Sequence, residues 1–530
     1  ADHIRNDRAN TTEEVSVSTL VTEATIALTG EIAESGAEVR VDGGDVTLCC
    51  IRAQIVQLLQ NLIGNAIEHG EGKPVVVTKV GRTEAGKRAA ASHTGSLAGA
   101  DEVFDGIAQQ FGLIRARNEE HMMDLADAFM LCDLPKGSGV AVITQSGGAG
   151  VMMTDRAVEL GLEIPQPIEA VRTSVSEVIP AFGSANNPID VTAQFLMNPA
   201  VLRDSVVRIL EDPNIHIAVV WLQLMHGYAN LLVDVFKEIK AHATKPFLVC
   251  WLEAPEQALT ALRDAGICVI DGTERVVDAA AGLVAFGEAR QRITAAPLPA
   301  FPKTAPLPDD VGPVPSVEAW QRLKASGLPL VDCALAADAE AAVVAAESIG
   351  FPVVVKIESP DIPHKMDIGG VLLELGDSDA VRVAAETIIQ NAVTQVPEAR
   401  IDGLLVQAMA PARTEMVLGL RHDPAFGPVL MVGLGGIFVE VLKDVAFAQA
   451  PLSRDDAELM LDQLAGKAVL DGARGQPAVD KRALIDTLCA LSDFAIENPD
   501  VVELDLNPVF AGPDGTLAVD WLMMSTNGRR

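Results

Sequence analysis

The sequence predicts a multidomain α/β protein. It should hold a flavodoxin-like parallel-sheet domain, a proline-rich linker and a C-terminal α+β unit, preceded by a partial α/β N-terminal fragment. Three observations carry that expectation. The chain has 530 residues, beyond the size at which a single hydrophobic core stops growing. Short apolar runs alternate with helical stretches between 138 and 292, at the spacing of βαβ units. The segment 297–315, PLPAFPKTAPLPDDVGPVP, is too rich in proline for a helix interior or a central strand.

Taken in order, VSTLVTEATIALTGEIAESG (17–36) reads as a helix, AEVRVDGG (37–44) as a strand and IRAQIVQLLQNLIGNAIEHG (51–70) as an amphipathic helix. GVAVITQ (139–145) is an apolar run entering a glycine-rich turn, followed by the helical VMMTDRAVELGL. IHIAVVWLQL (215–224), KPFLVCWL (245–252) and GICVI (266–270) are further strands with helices between them, which implies a parallel sheet covered on both faces. Beyond the linker, SVEAWQRLKASG is an amphipathic helix with Ser316 as its expected N-cap. FPVVVKIES, GGVLLELGD, LLVQAMA, EMVLGLRHD, GPVLMVG, VVELDLNPVFAG and LAVDWLM then read as strands, with DAVRVAAETIIQNAV a helix among them. The domain limits expected are 1–72, 73–137, 138–292, a linker at 293–316, and 317–528.

A net charge of −33 argues against a nucleic-acid partner, whose phosphates need a basic surface. It leaves room for a small phosphorylated ligand held by helix N-termini and a lysine. No run of about eighteen apolar residues is present, so no membrane span is expected. The first residues lack the layout of a signal peptide. Seven cysteines without a C-x-x-C pair read as reduced thiols of a cytoplasmic protein. The nine histidines show no zinc-ligand spacing.

Five segments carry chemistry. In 73–104, KPVVVTKVGRTEAGKRAAASHTGSLAGADEVF, a strand enters a small-residue loop with one histidine, His93. Small neighbours let a large phosphorylated partner approach that imidazole; a plain surface histidine is the alternative. In 352–375, Lys356 ends a strand, where an ammonium can meet phosphates as a point charge, and His364 follows in a loop bounded by proline and glycine. At 427–444 a strand opens into a turn with Gly433, Gly435 and Gly436, which is either a phosphate cradle or a tight turn. In VVELDLNPVF (501–510), alternation puts Glu503, Asp505 and Asn507 on one face, with Asp520 on a neighbouring strand. Those oxygens suit magnesium, or form a polar face turned to water. In AVITQSGGAGVMMTD (141–155), a strand, a glycine-rich turn and a helix make an anion site with Ser146, Gly147 and Gly148 as candidates. A dinucleotide site is the alternative, although the spacing is not G-x-G-x-x-G.

Together these segments resemble the ADP-forming acyl-CoA synthetases, relatives of succinyl-CoA synthetase. The S-H-T-G containing His93 matches the family's phosphohistidine loop, and 352–375 matches its ATP-grasp domain. The resemblance implies an acid–thiol ligase interconverting acyl-CoA, ADP and phosphate with a carboxylic acid, CoA and ATP. It implies that His93 carries phosphate and that His364, on a swinging loop, passes it to or from nucleotide. It further implies Lys356 and the three glycines at the nucleotide, Asn507 and Asp520 on Mg2+, and Ser146, Gly147 and Gly148 at the phosphohistidine. ANNPIDVT (185–192) shapes the same cleft, and Trp521 replaces a small residue usual at its position. ATP/ADP, Mg2+ and CoA are the implied cofactors and substrates, with a small carboxylic acid or acyl-CoA as partner.

The resemblance spans about 73–528, and the family's CoA-binding domain has no counterpart in that span. A separate CoA-binding subunit, or a homo-oligomer, is therefore an expected partner. VTLCCIRAQIVQLLQNLIGNAIEHG (46–70) instead resembles the N-box helix of histidine-kinase ATPase domains, with Asn61 and Asn65 at the amide positions and no D-x-G-x-G element following. Two alternatives follow, a phosphorelay fusion and an ATP-binding regulatory module without thioester synthesis.

Overall fold

The computed structural model describes residues 14–16, 47–49, 73–83, 85–86, 88, 101–295, 311–362, 365–423, 426–436, 442–472 and 477–526. The helices expected at 17–36 and 51–70, the strand expected at 37–44, and His93 and His364 lie outside those residues. Strand β1 (Glu14–Ser16) pairs antiparallel with β2 (Thr47–Cys49). β3 (Val76–Val77) and β4 (Ile114–Arg115) form a short parallel pair, with the helix Asp101–Gln110 between them in sequence.

The next unit is the parallel sheet that the sequence predicts. Strands β5 (Val140–Thr144), β6 (Ile189–Asp190), β7 (Ile217–Gln223), β8 (Phe247–Leu252) and β9 (Val269–Ile270) lie in the order β6-β5-β7-β8-β9. Ala141 and Ile143 pack with Leu202, Val206, Phe236 and Leu262 on one face. Val140 and Val142 pack with Ala128, Met153 and Leu283 on the other. Burial on both sides is why β5 is an unbroken apolar run without polar alternation. The short β6 leaves part of β5 without a strand partner. Buried Asn187 takes that place: its Oδ1 accepts from the Val142 amide at 3.0 Å and its Nδ2 donates to the Val140 carbonyl at 2.8 Å.

The helix Thr273–Ala295 runs past the start of the linker expected at 293, because no proline interrupts it before 297. At the far end, β10 (Gly312–Pro313) joins a sheet edge, the one strand position where proline is tolerated. A four-stranded antiparallel sheet follows, in the order β11-β14-β12-β13: β11 (Cys333–Ala336), β12 (Val353–Glu358), β13 (Val371–Leu375) and β14 (Gly403–Ala408). The helices Ala339–Ile349 and Ser378–Gln395 cover one side, each capped by an aspartate, Asp338 and Asp377.

The last sheet is antiparallel and seven-stranded, ordered β10-β20-β18-β15-β16-β17 with β19 beside β18. Its strands are β15 (Thr414–Asp423), β16 (Gly427–Leu434), β17 (Val445–Gln449), β18 (Val501–Gly512), β19 (Gly515–Ala518) and β20 (Trp521–Ser525). Leu418, Leu420, Leu430, Val432, Leu504 and Leu506 pack there against Leu484, Leu488 and Leu491 of the helix Lys481–Glu497.

Two expectations need correction. The single strand expected at 517–523 is two strands, β19 and β20, because β18 changes partner at Pro508, which has no N–H to continue a ladder. Ser316 is not an N-cap. Pro315 holds that position, and Ser316 instead donates its N–H and its hydroxyl to the two carboxylate oxygens of Glu358, at 2.9 and 2.7 Å.

Candidate functional site

Alternation along β12 turns Val353, Val355 and Ile357 into the core and leaves Lys356 and Glu358 on the face opposite. Lys356 is only 7% exposed, and its Nζ lies 3.2 Å from both the Val519 carbonyl and Asp520 Oδ1. Burial holds its ammonium below the usual lysine range, while Asp520 opposes the shift. The break between β19 and β20 makes this meeting possible. Asn507 N donates to the Asp520 carbonyl at 3.2 Å and Val519 N to the Pro508 carbonyl at 3.1 Å, so Asn507 and Asp520 lie side by side.

Asp505 faces the same way. Burial, then the charges of Glu503 and Asp520, push its carboxyl up, and the Asn507 side chain pulls the other way. An oxygen-rich patch of this kind suits a hard cation. Among the described residues no group of three or more His, Cys, Asp or Glu side chains converges as a metal site. Asn507 and Asp520, side by side at the break between β19 and β20, are the oxygen donors expected to face a divalent ion there. A raised carboxylate favours the folded state at acid pH and loses that advantage as pH climbs through its folded value. Asp505→Asn is accordingly expected to raise the ligand-free protein's urea midpoint at neutral pH and to lose that effect near pH 4.

Of the glycine turn, Gly433 stands in the β16 ladder opposite Val417. Gly435 donates its N–H to the Glu415 carbonyl at 2.7 Å, and a Cβ there would lie 2.7 Å from that of Glu415. Gly436 has φ +61°, a conformation that favours glycine. Close backbone approach therefore explains Gly435 before any ligand is invoked. On the other side of Lys356, Glu358 fastens the base of the His364 loop: it accepts from Lys365 Nζ at 3.3 Å as well as from Ser316. A cavity of about 400 Å³ opens beside it, lined by Pro315, Val317, Leu335, Glu358, Arg400 and Asp402.

The base of the His93 loop is fastened by charge. Buried Asp101, first residue of the helix after the loop, accepts from Lys79 at 2.9 Å and from Arg115 at 2.9 and 3.1 Å. Burial works against ionisation, yet Arg115 and Lys79 hold its carboxyl down to about 2. A depressed carboxylate stabilises above its unfolded value, near 3.8, and loses that contribution as pH falls through its folded one. Asp101→Asn is expected to cost about 2 kcal/mol in urea unfolding at pH 7, since it removes the carboxylate charge that pairs with the part-buried Lys79 and Arg115. The difference should shrink between about pH 4 and pH 2.

Ser146 is the N-cap of the helix Gly147–Glu159, and its own side chain makes no cap bond. Thr144 Oγ1 steadies the turn, accepting from Ser146 N at 2.9 Å. A Cβ on Gly147 or Gly148 would meet nothing within 4 Å and both residues are exposed, at a helix start whose first N–H groups have no intrahelical acceptor. Pro188 of the 185–192 segment packs against Gly150, next to this turn. Sequence reasoning did not find the strain around it. Thr192, Leu224, Met225 and Glu253, at the C-terminal ends of β6, β7 and β8, all have φ between +56° and +65°. The structure thus groups Lys356, Asn507 and Asp520, and places Ser146, Gly147 and Gly148 apart from them, at the start of the helix that follows β5 of the parallel sheet.

Comparison with known proteins agrees with this division. Residues 55–129 match the succinyl-CoA ligase-like flavodoxin domain, 140–311 the Ligase-CoA domain and 313–524 the ATP-grasp domain. The first match begins at 55, inside the 46–70 segment expected to form a kinase-like helix; its Asn61 and Asn65 lie outside the described residues. The chain is 34% identical over 463 residues to acetate–CoA ligase [ADP-forming] I of Archaeoglobus fulgidus, covering 85% of this chain and 66% of the relative. It is 42% identical over 212 residues to the β subunit of the Pyrococcus furiosus acetate–CoA ligase [ADP-forming] I, covering 40% of this chain and 91% of that subunit. To the α subunit of that enzyme it is 36% identical over 228 residues, covering 41% of this chain and 48% of the subunit. Relatives therefore occur both as one chain and as separate subunits, and this chain spans about two thirds of the single-chain form. The chain belongs to the ADP-forming acetate–CoA ligase family.

Proposed function

We propose that this chain performs the nucleotide and phosphate-carrying part of an ADP-forming acyl-CoA synthetase. The full reaction converts acyl-CoA, ADP and phosphate to a carboxylic acid, CoA and ATP, and runs in either direction. The observation that carries the reading is the buried Lys356, aimed across two sheets at Asp520 beside Asn507. Burial disfavours this ammonium and the half-exposed Asp520 offsets that only in part, so an arriving polyphosphate supplies further anionic charge to it.

In this reading Lys356 binds and orients the nucleotide phosphates. Asn507 and Asp520 would hold Mg2+, which when bound neutralises charge on the transferring phosphoryl group. His364 takes the terminal phosphoryl of ATP on a ring nitrogen as ADP leaves, and His93 receives it from His364. Each transfer exchanges one phosphorus–oxygen or phosphorus–nitrogen bond for another, so no further reactant is needed. The open helix N-terminus at Ser146, Gly147 and Gly148 offers N–H donors and a favourable dipole to the phosphorylated His93. CoA and a small carboxylic acid or acyl-CoA complete the reaction, and a partner chain related to the CoA-binding part of the α subunit is the expected companion.

The test is ADP–ATP exchange with Mg2+, which needs the nucleotide site and His364 but neither CoA nor acid. Exchange that requires Mg2+ and disappears in His364→Ala supports the reading. Tight nucleotide binding without exchange would leave only a binding module.

A further inference from the structure

The helix that follows the His93 loop is not free on its own domain. Asp101–Gln110 lies along β17, the edge strand of the seven-stranded sheet that carries Asn507. An edge strand presents unpaired N–H and C=O groups, and these must be covered or met. Here a side-chain amide meets them. Gln110 Nε2 donates to the Gln449 carbonyl at 3.0 Å, and Gln449 N donates to Gln110 Oε1 at 2.8 Å. One glutamine thus pairs with the edge residue as another strand would.

Contact is close along the rest of the helix. A Cβ on Gly106 would fall well inside contact distance of the Phe447 carbonyl oxygen, so only glycine lets the helix backbone lie on the strand. Arg292, from the helix Thr273–Ala295, donates to the Gln109 and Gln110 carbonyls at 2.9 and 2.6 Å and holds the helix end from behind. The helix start is held by Asp101 with Lys79 and Arg115. Both ends of the segment leading out of the His93 loop are therefore fixed, one of them directly to the nucleotide-binding sheet.

We infer that Gly106, Gln110 and Gln449 form a permanent anchor that positions the His93 loop relative to the nucleotide site, so that phosphate handover proceeds with the helix docked. The inference rests on the relay from His364 to His93 proposed above. These are positioning residues: none reaches the reacting atoms. A relay between two loops depends on where their bases stand, and misplacement by about 1 Å can cost 10²-fold.

The experiment is single-turnover labelling with γ-labelled ATP and Mg2+, with label located at His364 and at His93 by peptide mapping. In the wild type both become labelled. In Gly106→Val and Gln110→Ala, His364 should be labelled at a rate within about twofold of wild type, with unchanged KM for ATP, while transfer to His93 slows by roughly 10²-fold. Gln110→Glu keeps the acceptor for Gln449 N and should recover part of the transfer. The decisive arm is a Gln110→Cys, Gln449→Cys pair joined by a short cross-linker. With the helix fixed to the strand, transfer should continue at the wild-type rate. Transfer blocked by the cross-link, or unaffected in all three single variants, would overturn the anchor. A wild type that labels His364 and never His93 would instead remove the relay itself.

Discussion

Lys356→Met is expected to reduce phosphorylation from ATP by roughly 10²–10³-fold, the scale on which one preorganised charge or donor acts at a reaction centre. Its fold should survive. Methionine fills nearly the same volume, and the partner left behind, Asp520, has a side chain 44% exposed and is solvated without lysine. Lys356→Arg should recover little, because a planar guanidinium does not fit a pocket shaped around one Nζ between Val519 and Asp520. The wild-type rate should also fall on the alkaline side below the ordinary lysine range, since burial depresses this ammonium. Rate measurements across pH in the wild type and both variants check all three points.

Asp520→Asn is expected to act twice. It removes one negative charge from the oxygen patch formed with Asn507, so the Mg2+ concentration for half-maximal exchange should rise at least about tenfold. It also removes the carboxylate that keeps Lys356 protonated, so the alkaline limb should move to still lower pH. The second effect separates this account from simple loss of a ligand, which would change the Mg2+ requirement and leave the pH profile in place. Because Lys356 and Asp520 touch, the double variant should lose less than the sum of the two single losses.

Much of the fold was legible because its cause is local. β5, β7 and β8 are apolar runs long enough to be buried on two faces, and the proline stretch could only be a connection or an edge. Lys356 was legible as a strand lysine, although β12 runs two residues past it to Glu358, and the alternation Glu503–Asp505–Asn507 survives in the structure as the less buried face of β18. What was not legible depends on partners distant in sequence. LAVDWLM alternates well enough for one strand, and only β18's switch of partner at Pro508 shows why it breaks at Val519–Asp520. Ser316 has the composition of an N-cap, but a carboxylate 42 residues away takes over the helix start. Asp101 and Gln110 carry no motif at all; their roles arise from a salt-bridge cluster and an edge strand that no short window contains.

The central claim is that phosphate from ATP reaches a histidine of this chain through the Lys356–Asp520 site. Its most direct test is incubation with γ-labelled ATP and Mg2+, scoring label that is labile to acid and stable to base. The account predicts such label on the wild type, its loss in His364→Ala, and its retention on His364 alone in His93→Ala. Measurable ATP binding with no acid-labile label on the wild type would contradict it.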